Sequence, residues 1–282
     1  TASGVWNVHD PLIFGQAGDW PDPTNASPSK FIENLFSCFV YDGTGSSQTI
    51  TNGIDLSNEG GLVWIKNREA AGYENLLFDT ERGATKYISS DSTAAEQTDS
   101  NSLTGFSSTG FTLGSSNRGN RSASGESGHV SWTFRKQPKF FDVVTYTGDG
   151  NTSQTISHNL GSTPGFMIAK QTNGTGSWFV YHRSMGATKY LNLESTGSGP
   201  YDQTYIWNDT EPTSTHFTVG NDQDINESGE SYVAYLFAHN NSDGGFGSTG
   251  DQDIVKCGTY NGDGSTSNSV TLGFEPQWIL IK

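Results

Sequence analysis

An all-β chain of tandem β-sandwich domains, each about 105 residues long, is what this sequence predicts. Three observations carry that expectation. The first is an internal repeat. Tyr41-Asp-Gly-Thr-Gly-Ser-Ser-Gln-Thr-Ile returns as Tyr146-Thr-Gly-Asp-Gly-Asn-Thr-Ser-Gln-Thr-Ile and opens again as Tyr260-Asn-Gly-Asp-Gly-Ser-Thr, at steps of 105 and 114 residues. Gly83-Ala-Thr-Lys-Tyr87 returns at Gly186–Tyr190, Phe111-Thr-Leu-Gly114 at Phe217–Gly220, and Ser124-Gly-Glu-Ser127 at Ser228–Ser231. Val63-Trp-Ile-Lys66 returns as Met167–Lys170 and Ile279–Lys282. Such a step is too long for a solenoid repeat and matches a domain with its own core. The second observation is punctuation: short aromatic and β-branched runs separated by Gly, Asn and Asp. The third is that no long segment keeps a helical period; the best helical candidate, Ser29–Phe36, is short.

The elements follow in order. Residues 1–36 do not repeat and are rich in Pro and Gly, so they read as a leader that lies against something else, anchored by Trp6, Ile13, Phe14 and Trp20. The first repeat runs over 37–138 and the second over 139–241. In the second, Phe141–Tyr146 alternates apolar and polar residues, Gly148–Gly150 turns the chain, and Gln154–Ser157 resumes it. Gly165–Lys170 is a continuous apolar run, as a central strand is. A hairpin at Gly174–Gly176 leads into Trp178–Tyr181. Lys189–Leu193, Phe217–Val219 and Tyr232–Ala238 complete seven or eight strands, the number a sandwich requires. Residues 242–252 are turn formers throughout and read as a linker. Residues 253–282 read as the first two strands of an incomplete third repeat, which is not a stable unit alone. Trp278 and Ile279 in that piece, like the leader's tryptophans, are expected to be covered by other subunits or further domains.

Composition narrows the function. The net charge is −15 with no basic stripe, which argues against a nucleic-acid partner. No apolar run is long enough for a membrane-spanning helix, and the N-terminus has no signal-peptide pattern. Charged residues are only 16% of the chain, while aromatics at 12% exceed what disordered sequences carry. The register places Cys38, Val143 and Cys257 in one slot, three residues before Tyr41, Tyr146 and Tyr260. A slot accepting Cys, Val and Cys reads as a small buried strand position, so the two cysteines are expected to be free.

The string Val143-Val-Thr-Tyr-Thr-Gly-Asp-Gly150, then Ser157-His-Asn-Leu-Gly-Ser-Thr-Pro-Gly-Phe166, Gly186-Ala-Thr-Lys-Tyr-Leu191 and Ser228-Gly-Glu-Ser-Tyr-Val-Ala-Tyr-Leu-Phe237, resembles a repeated domain of bacteriophage virion proteins of the tail-fibre type. The third opening, Gly258-Thr-Tyr-Asn-Gly-Asp-Gly264 with Gly273-Phe-Glu-Pro-Gln-Trp-Ile-Leu-Ile-Lys282, resembles that family's next repeat, and Ala2–Trp6 with Trp20-Pro21 resembles a leader that precedes such domains. The resemblance covers nearly the whole chain. It implies a lectin-like or jelly-roll-like sandwich. The first repeat departs from the pattern, with Thr51–Leu56 where the second has His158–Pro164 and Val130–Phe134 where the second has Val233–Phe237.

Candidate chemistry is sparse. None of the six histidines recurs between the two full repeats, so they are expected to be exposed or loop residues. Asp79 and Glu81 are a carboxylate pair, the equipment of a glycosidase, but the second repeat has Tyr181 and Arg183 there. Glu126 and Glu230 recur, in a turn before the last strand. Asp222, Asp224 and Asn226 have the alternating spacing of calcium ligands, against Ser116, Arg118 and Asn120 in the first repeat; neither a metal nor a cofactor is expected. Lys86, Lys189, Tyr87 and Tyr190 read as turn and packing residues. Sugar-stacking candidates are Trp178, Tyr205 and Trp207, with Asp202, Asn208 and Asp209 as acceptors for sugar hydroxyls.

The expectation is therefore a non-enzymatic virion component, a tail-fibre-type appendage on the particle surface, homo-oligomeric and in contact with other virion subunits and host-surface glycans. The alternatives are a capsid-decoration or fibre-forming subunit without a receptor role, and a glycan depolymerase. Any ligand site is expected on loops private to the second repeat, because loops change chemistry without disturbing the core.

Overall fold

The computed structural model describes residues 30–197 and 199–282. The chain is all-β, with several antiparallel sheets and few helical residues. The first repeat forms β1 (Phe36–Asp42), β2 (Gln48–Thr51), β3 (Gly61–Asn67), β4 (Leu76–Asp79), β5 (Lys86–Ser89), β6 (Gln97–Thr98), β7 (Leu103–Ser107), β8 (Gly110–Leu113), the one-turn helix α1 (Asn117–Asn120) and β9 (Gly128–Arg135). The second forms β10 (Phe141–Thr147), β11 (Gln154–Ser157), β12 (Phe166–Gln171), β13 (Phe179–His182), β14 (Lys189–Asn192), β15 (Tyr201–Asp202), α2 (Thr204–Trp207), β16 (His216–Val219), α3 (Gln223–Asn226) and β17 (Ser231–Phe237). Within the short helical candidate 29–36, a 3₁₀ turn at Ile32–Asn34 leads into β1.

Each repeat makes one six-stranded sheet, ordered β1-β9-β3-β4-β5-β6 and β10-β17-β12-β13-β14-β15, and one small sheet, β2-β8-β7 or β11-β16. In both large sheets the last strand of the repeat lies between the first strand and the central one. This explains why residues 253–282 contain no strand, contrary to the sequence expectation. The counterparts of β1 and β3 do not pair with each other. Each pairs with a counterpart of β9 or β17, and none follows within the 282 residues.

Three apolar clusters hold the layers. One joins β2, β7 and β8 to β3 and β4 through Ile50, Leu103, Phe111, Val63 and Phe78. A second joins β11 and β16 to β12 and β17 through Ile156, Phe217, Met167 and Leu236. The third is shared: Phe36, Leu62 and Phe134 of the first large sheet meet Phe141, Phe166 and Phe237 of the second. The repeats are thus not beads with wholly separate cores. Phe246, in the stretch expected to be a linker, is buried in this shared cluster, and Trp278 packs against its Trp64, Phe134 and Phe237. Ile279 is exposed. The leader anchors Trp6, Ile13, Phe14 and Trp20 lie outside the described residues.

The two large sheets stack offset, with β10 against β3 and β9, and the offset corrects the cysteine expectation. Val143 is buried, but Cys38 is exposed, because β1 is an edge strand whose outward row continues past the second sheet. Cys257 is half-buried, and both thiols are free.

A polar contact crosses the shared face. Arg82 and Asp79 are both buried; Arg82 Nε donates to Asp79 Oδ2 at 2.6 Å, Nη1 to Glu96 Oε2 at 3.1 Å, and Nη2 to Leu77 O at 2.8 Å and to the Tyr235 hydroxyl at 3.2 Å. Tyr235 in turn donates to Asp79 Oδ2 at 2.8 Å. Burial alone would lower the guanidinium pKa, but Tyr235 and Asp79 outweigh it and raise it. The carboxylate pair expected from Asp79 and Glu81 is thereby divided: Asp79 is sealed in this contact, and Glu81 pairs with Lys136 at 2.8 Å.

The repeated landmarks also have structural work. Tyr41 donates to Gly119 O at 2.7 Å and Tyr146 to Ile225 O at 2.9 Å, so each tyrosine holds a short helix. Asn120 donates to Ser46 O and Gly114 O and accepts from Thr44 N; Asn226 donates to Asn151 O and Gly220 O and accepts from Asp149 N. Each asparagine thus ties the Gly-x-Gly turn to the end of the Phe-Thr-Leu/Val-Gly strand. The turn glycines are obligatory: a Cβ on Gly43 or Gly148 would lie 2.1 or 2.2 Å from the carbonyl oxygen of Arg121 or Glu227.

Arg82→Met, which strands the buried Asp79 carboxylate, is expected to destabilise the fold by about 3–5 kcal/mol. Tyr235→Phe, which removes one donor, should cost about 1–3 kcal/mol. Urea denaturation read by tryptophan fluorescence checks both, and a larger loss in Tyr235→Phe than in Arg82→Met would contradict this ordering.

Candidate functional site

The repeats differ most between the fifth strand and the last. Both repeats place a two-residue strand on the fifth, β6 and β15; after it the first repeat forms β7, which pairs with β8, whereas the second forms α2 and an irregular loop to β16. Helix α2 is seated by close approach: Gly220 N donates to Ile206 O at 2.9 Å, and a Cβ on Gly220 would lie 2.1 Å from Tyr205 O. The turn after α2 is left-handed at Asn208 and Asp209, with φ of 51° and 48°, a conformation that Asn and Asp tolerate better than most residues.

This segment presents two tyrosines to solvent, Tyr201 at 38% and Tyr205 at 41% exposure. The Tyr201 ring lies 5.3 Å from the half-buried Tyr190 ring, which is itself held edge-on by Phe179 at 5.2 Å. Burial raises the Tyr190 pKa, and the neighbouring Tyr205, Asp222 and Tyr201 add to the rise. Asp202 and Asp209 are exposed and Asn208 half-buried. Asp202 pairs through β15 with Lys189.

Two of the expected stacking residues are elsewhere. Trp207 is 1% exposed, inside the cluster under β16 and edge-on to Tyr181 at 6.1 Å. The four-residue helix turns Ile206 and Trp207 inward and leaves Tyr205 outside. Trp178 is fully buried and donates its indole N–H to Ser89 O and Ser92 O of the first repeat, each at 3.0 Å. Neither tryptophan can offer a face to a sugar.

The other candidates resolve into structural roles. Asp222 caps α3 by accepting from Asp224 N at 2.9 Å, and Asn226 is committed to its turn, so the calcium-like spacing reflects a helix cap. No group of three or more His, Cys, Asp or Glu among the described residues is disposed to hold a metal ion. His129 and His158 are buried rather than exposed: His129 stacks on Tyr41 at 5.2 Å and bonds Ser127 O, and His158 Nδ1 accepts from Leu160 N. Burial holds both imidazole pKa values down. His9 lies outside the described residues. Lys86 pairs with Glu96 at 3.3 Å, and Tyr87 is buried against Phe78. Glu126 pairs with Arg121.

One titratable residue escaped the sequence reading. Lys170 is fully buried in β12, and its ammonium donates to Gln171 O at 2.7 Å and Gly174 O at 3.3 Å, with no carboxylate of the described residues in salt-bridge contact. Burial lowers its pKa to about 8, against the opposing pull of Asp224 and Glu194. The sequence signal was a lysine closing an otherwise apolar central strand.

Residues 27–282 match a domain of unknown function, DUF7483. The chain belongs to that family. No curated protein and no solved structure matches the chain. The DUF7483 region takes in both repeats, Phe246 and the Trp278 contact, and so spans the described residues that share the core.

Trp207→Ala is expected to cost the DUF7483 chain about 3–5 kcal/mol through an unfilled cavity, whereas Tyr205→Ala should change stability by no more than about 0.5 kcal/mol; denaturation midpoints measure both. Lys170 also makes stability depend on pH. Its folded pKa is about 8, whereas the unfolded value is ~10.4. The unfolded chain therefore retains a proton that the folded chain releases in that window, and stability rises with pH across it. Lys170→Met should be more stable than the parent at pH 7, and the difference should narrow by pH 10. A constant difference in urea midpoints would contradict a buried ammonium.

Proposed function

We propose that this chain is a non-enzymatic structural subunit of a bacteriophage virion, a tail-fibre-type appendage or surface component of tandem β-sandwiches, which serves assembly and attaches to host-surface glycans. The observation that carries the reading is the contrast between what the repeats share and what they do not. The shared tyrosines, glycines and asparagines are engaged in holding turns and helices. The segment from β15 through α2, where the first repeat has Gln97-Thr98 and then no helix before β7, presents Tyr201 and Tyr205 to solvent beside Asp202 and Asp209. Tyrosine rings suit the apolar faces of sugars and carboxylates accept from sugar hydroxyls, a pairing of flat and polar groups that suits weak recognition. Within each repeat, an apolar cluster between a large and a small antiparallel sheet supports the sandwich reading. Many copies on one particle would multiply a low affinity.

A second reading, a capsid-decoration or fibre-forming subunit with no receptor role, draws on the exposed apolar residues Val40, Ile279 and Ile281, which suit burial between subunits.

The test uses the full chain, biotinylated and clustered on streptavidin beads, over a glycan array. The double variant Tyr201→Ala/Tyr205→Ala should lose glycans retained by the parent, by about tenfold or more in signal, with an unchanged denaturation midpoint. Equal retention by a folded double variant would remove this face, and no retention by either would favour the second reading.

A further inference from the structure

The face that the second large sheet turns toward the first changes character along its strands. Its cross-strand rows run Phe141–Phe237–Phe166, then Val143–Tyr235–Ile168, then Thr145–Val233–Lys170. The last row pairs Thr147 with Ser231, and Thr172 joins it by donating both its N–H and its hydroxyl to Ser231 O, at 2.7 and 3.0 Å. The phenylalanine end is packed into the shared core, and Tyr235 closes the second row onto Asp79 and Arg82. Beyond Tyr235 no apolar residue remains in the last row to draw the sheets together. They part into a cleft of about 700 Å³, floored by Thr145, Thr147, Thr172 and Ser231 and walled on the first repeat's side by Glu81, Arg82, Lys86 and Glu96.

We infer that this cleft is a second binding site, for a neutral saccharide of one or two hexose units. Its volume lies in the range of small-molecule sites, which favour the boundary between packed units. Its charges cancel within the protein: Glu96 is held by Arg82 and Lys86, and Glu81 by Lys136. The cations in the wall are already paired, which argues against a phosphate or a carboxylate, and the lining is mainly polar, with Tyr146 and Tyr232 beside the hydroxyls, which argues against a lipid chain. What the cleft offers is the Thr145, Thr147 and Ser231 hydroxyls with both donor and acceptor capacity, the Thr172 hydroxyl as an acceptor since its hydrogen goes to Ser231 O, and opposite them carboxylate oxygens and an ammonium. That set matches the vicinal hydroxyls of a sugar. The first repeat has no such floor, since the residues matching Thr145 and Thr147 are Val40 and Asp42. The proposal rests on the glycan-binding reading of the chain but not on the tyrosine face.

The test is saturation-transfer NMR and calorimetry on the full chain with maltose, cellobiose, lactose and chitobiose. At least one should bind. The isosteric double variant Thr145→Val/Thr147→Val should weaken that binding about tenfold, the worth of one to two neutral hydrogen bonds, and should do so equally in the Tyr201→Ala/Tyr205→Ala background. Lys86→Met, which changes the opposite wall, should weaken it as well. Loss of binding only in the tyrosine variant would overturn the cleft and keep the tyrosine face. No binding by the parent, or binding undiminished in a folded Thr145→Val/Thr147→Val variant, would also overturn the cleft.

Discussion

The Arg82 guanidinium is the point on which the arrangement of the two repeats turns. It is buried between two large sheets, and its donors are shared among a carboxylate and a carbonyl of its own repeat, Glu96 nearby, and a tyrosine hydroxyl of the other repeat. A buried cation is tolerable only when its donors are met, and Tyr235 meets one of them only if the second sheet lies in this offset. The contact is directional where the surrounding phenylalanine cluster is not. Apolar packing draws the sheets together, and the guanidinium selects one offset among the many that greasy faces would accept.

From that offset much else follows. The edge strand β1 projects past the second sheet and leaves Cys38 and Val40 exposed, while Val143, in the equivalent slot, is covered. Trp178 reaches across to the backbone at Ser89 and Ser92, and Gly176 N donates to Thr93 O at 3.0 Å. The sheets stay closed where their rows are aromatic and part where the rows become hydroxyl-bearing. A repeat that looks like a domain in sequence therefore shares part of its core with its neighbour. Related sequence has been placed in two environments: the outer row of the first sheet faces solvent at its edge, and that of the second faces a cleft.

The repeats divide conserved architecture from variable surface in a physically sensible way. Asn120 and Asn226 each satisfy several backbone groups at once, and a residue so engaged cannot be replaced without leaving buried donors unmet. The segment carrying Tyr201 and Tyr205 hangs on α2 and the close approach at Gly220, so its outward residues are free of such duties.

The strand plan was legible in the sequence. Alternation and turn punctuation located β10, β11, β12, β13, β14, β16 and β17 nearly to the residue, because a strand's period and its glycine breaks are local properties. The divergence of Tyr201–Asn208 was legible too, since one repeat serves as the control for the other. The rest was not, for one reason: burial of a given side chain is decided by what lies opposite it. In α2 only the helix phase turns Trp207 inward and Tyr205 outward. The strands expected at 253–282 are absent because their ladder partner comes last in each repeat, a rule of topology with no local signature. The hydroxyl row of Thr147, Ser231 and Thr172 comes from three strands far apart in the chain. The sequence alone determined which segments would be strands and which landmarks would recur; the tertiary structure decided which faces meet, because sheet stacking is set by contacts between distant residues.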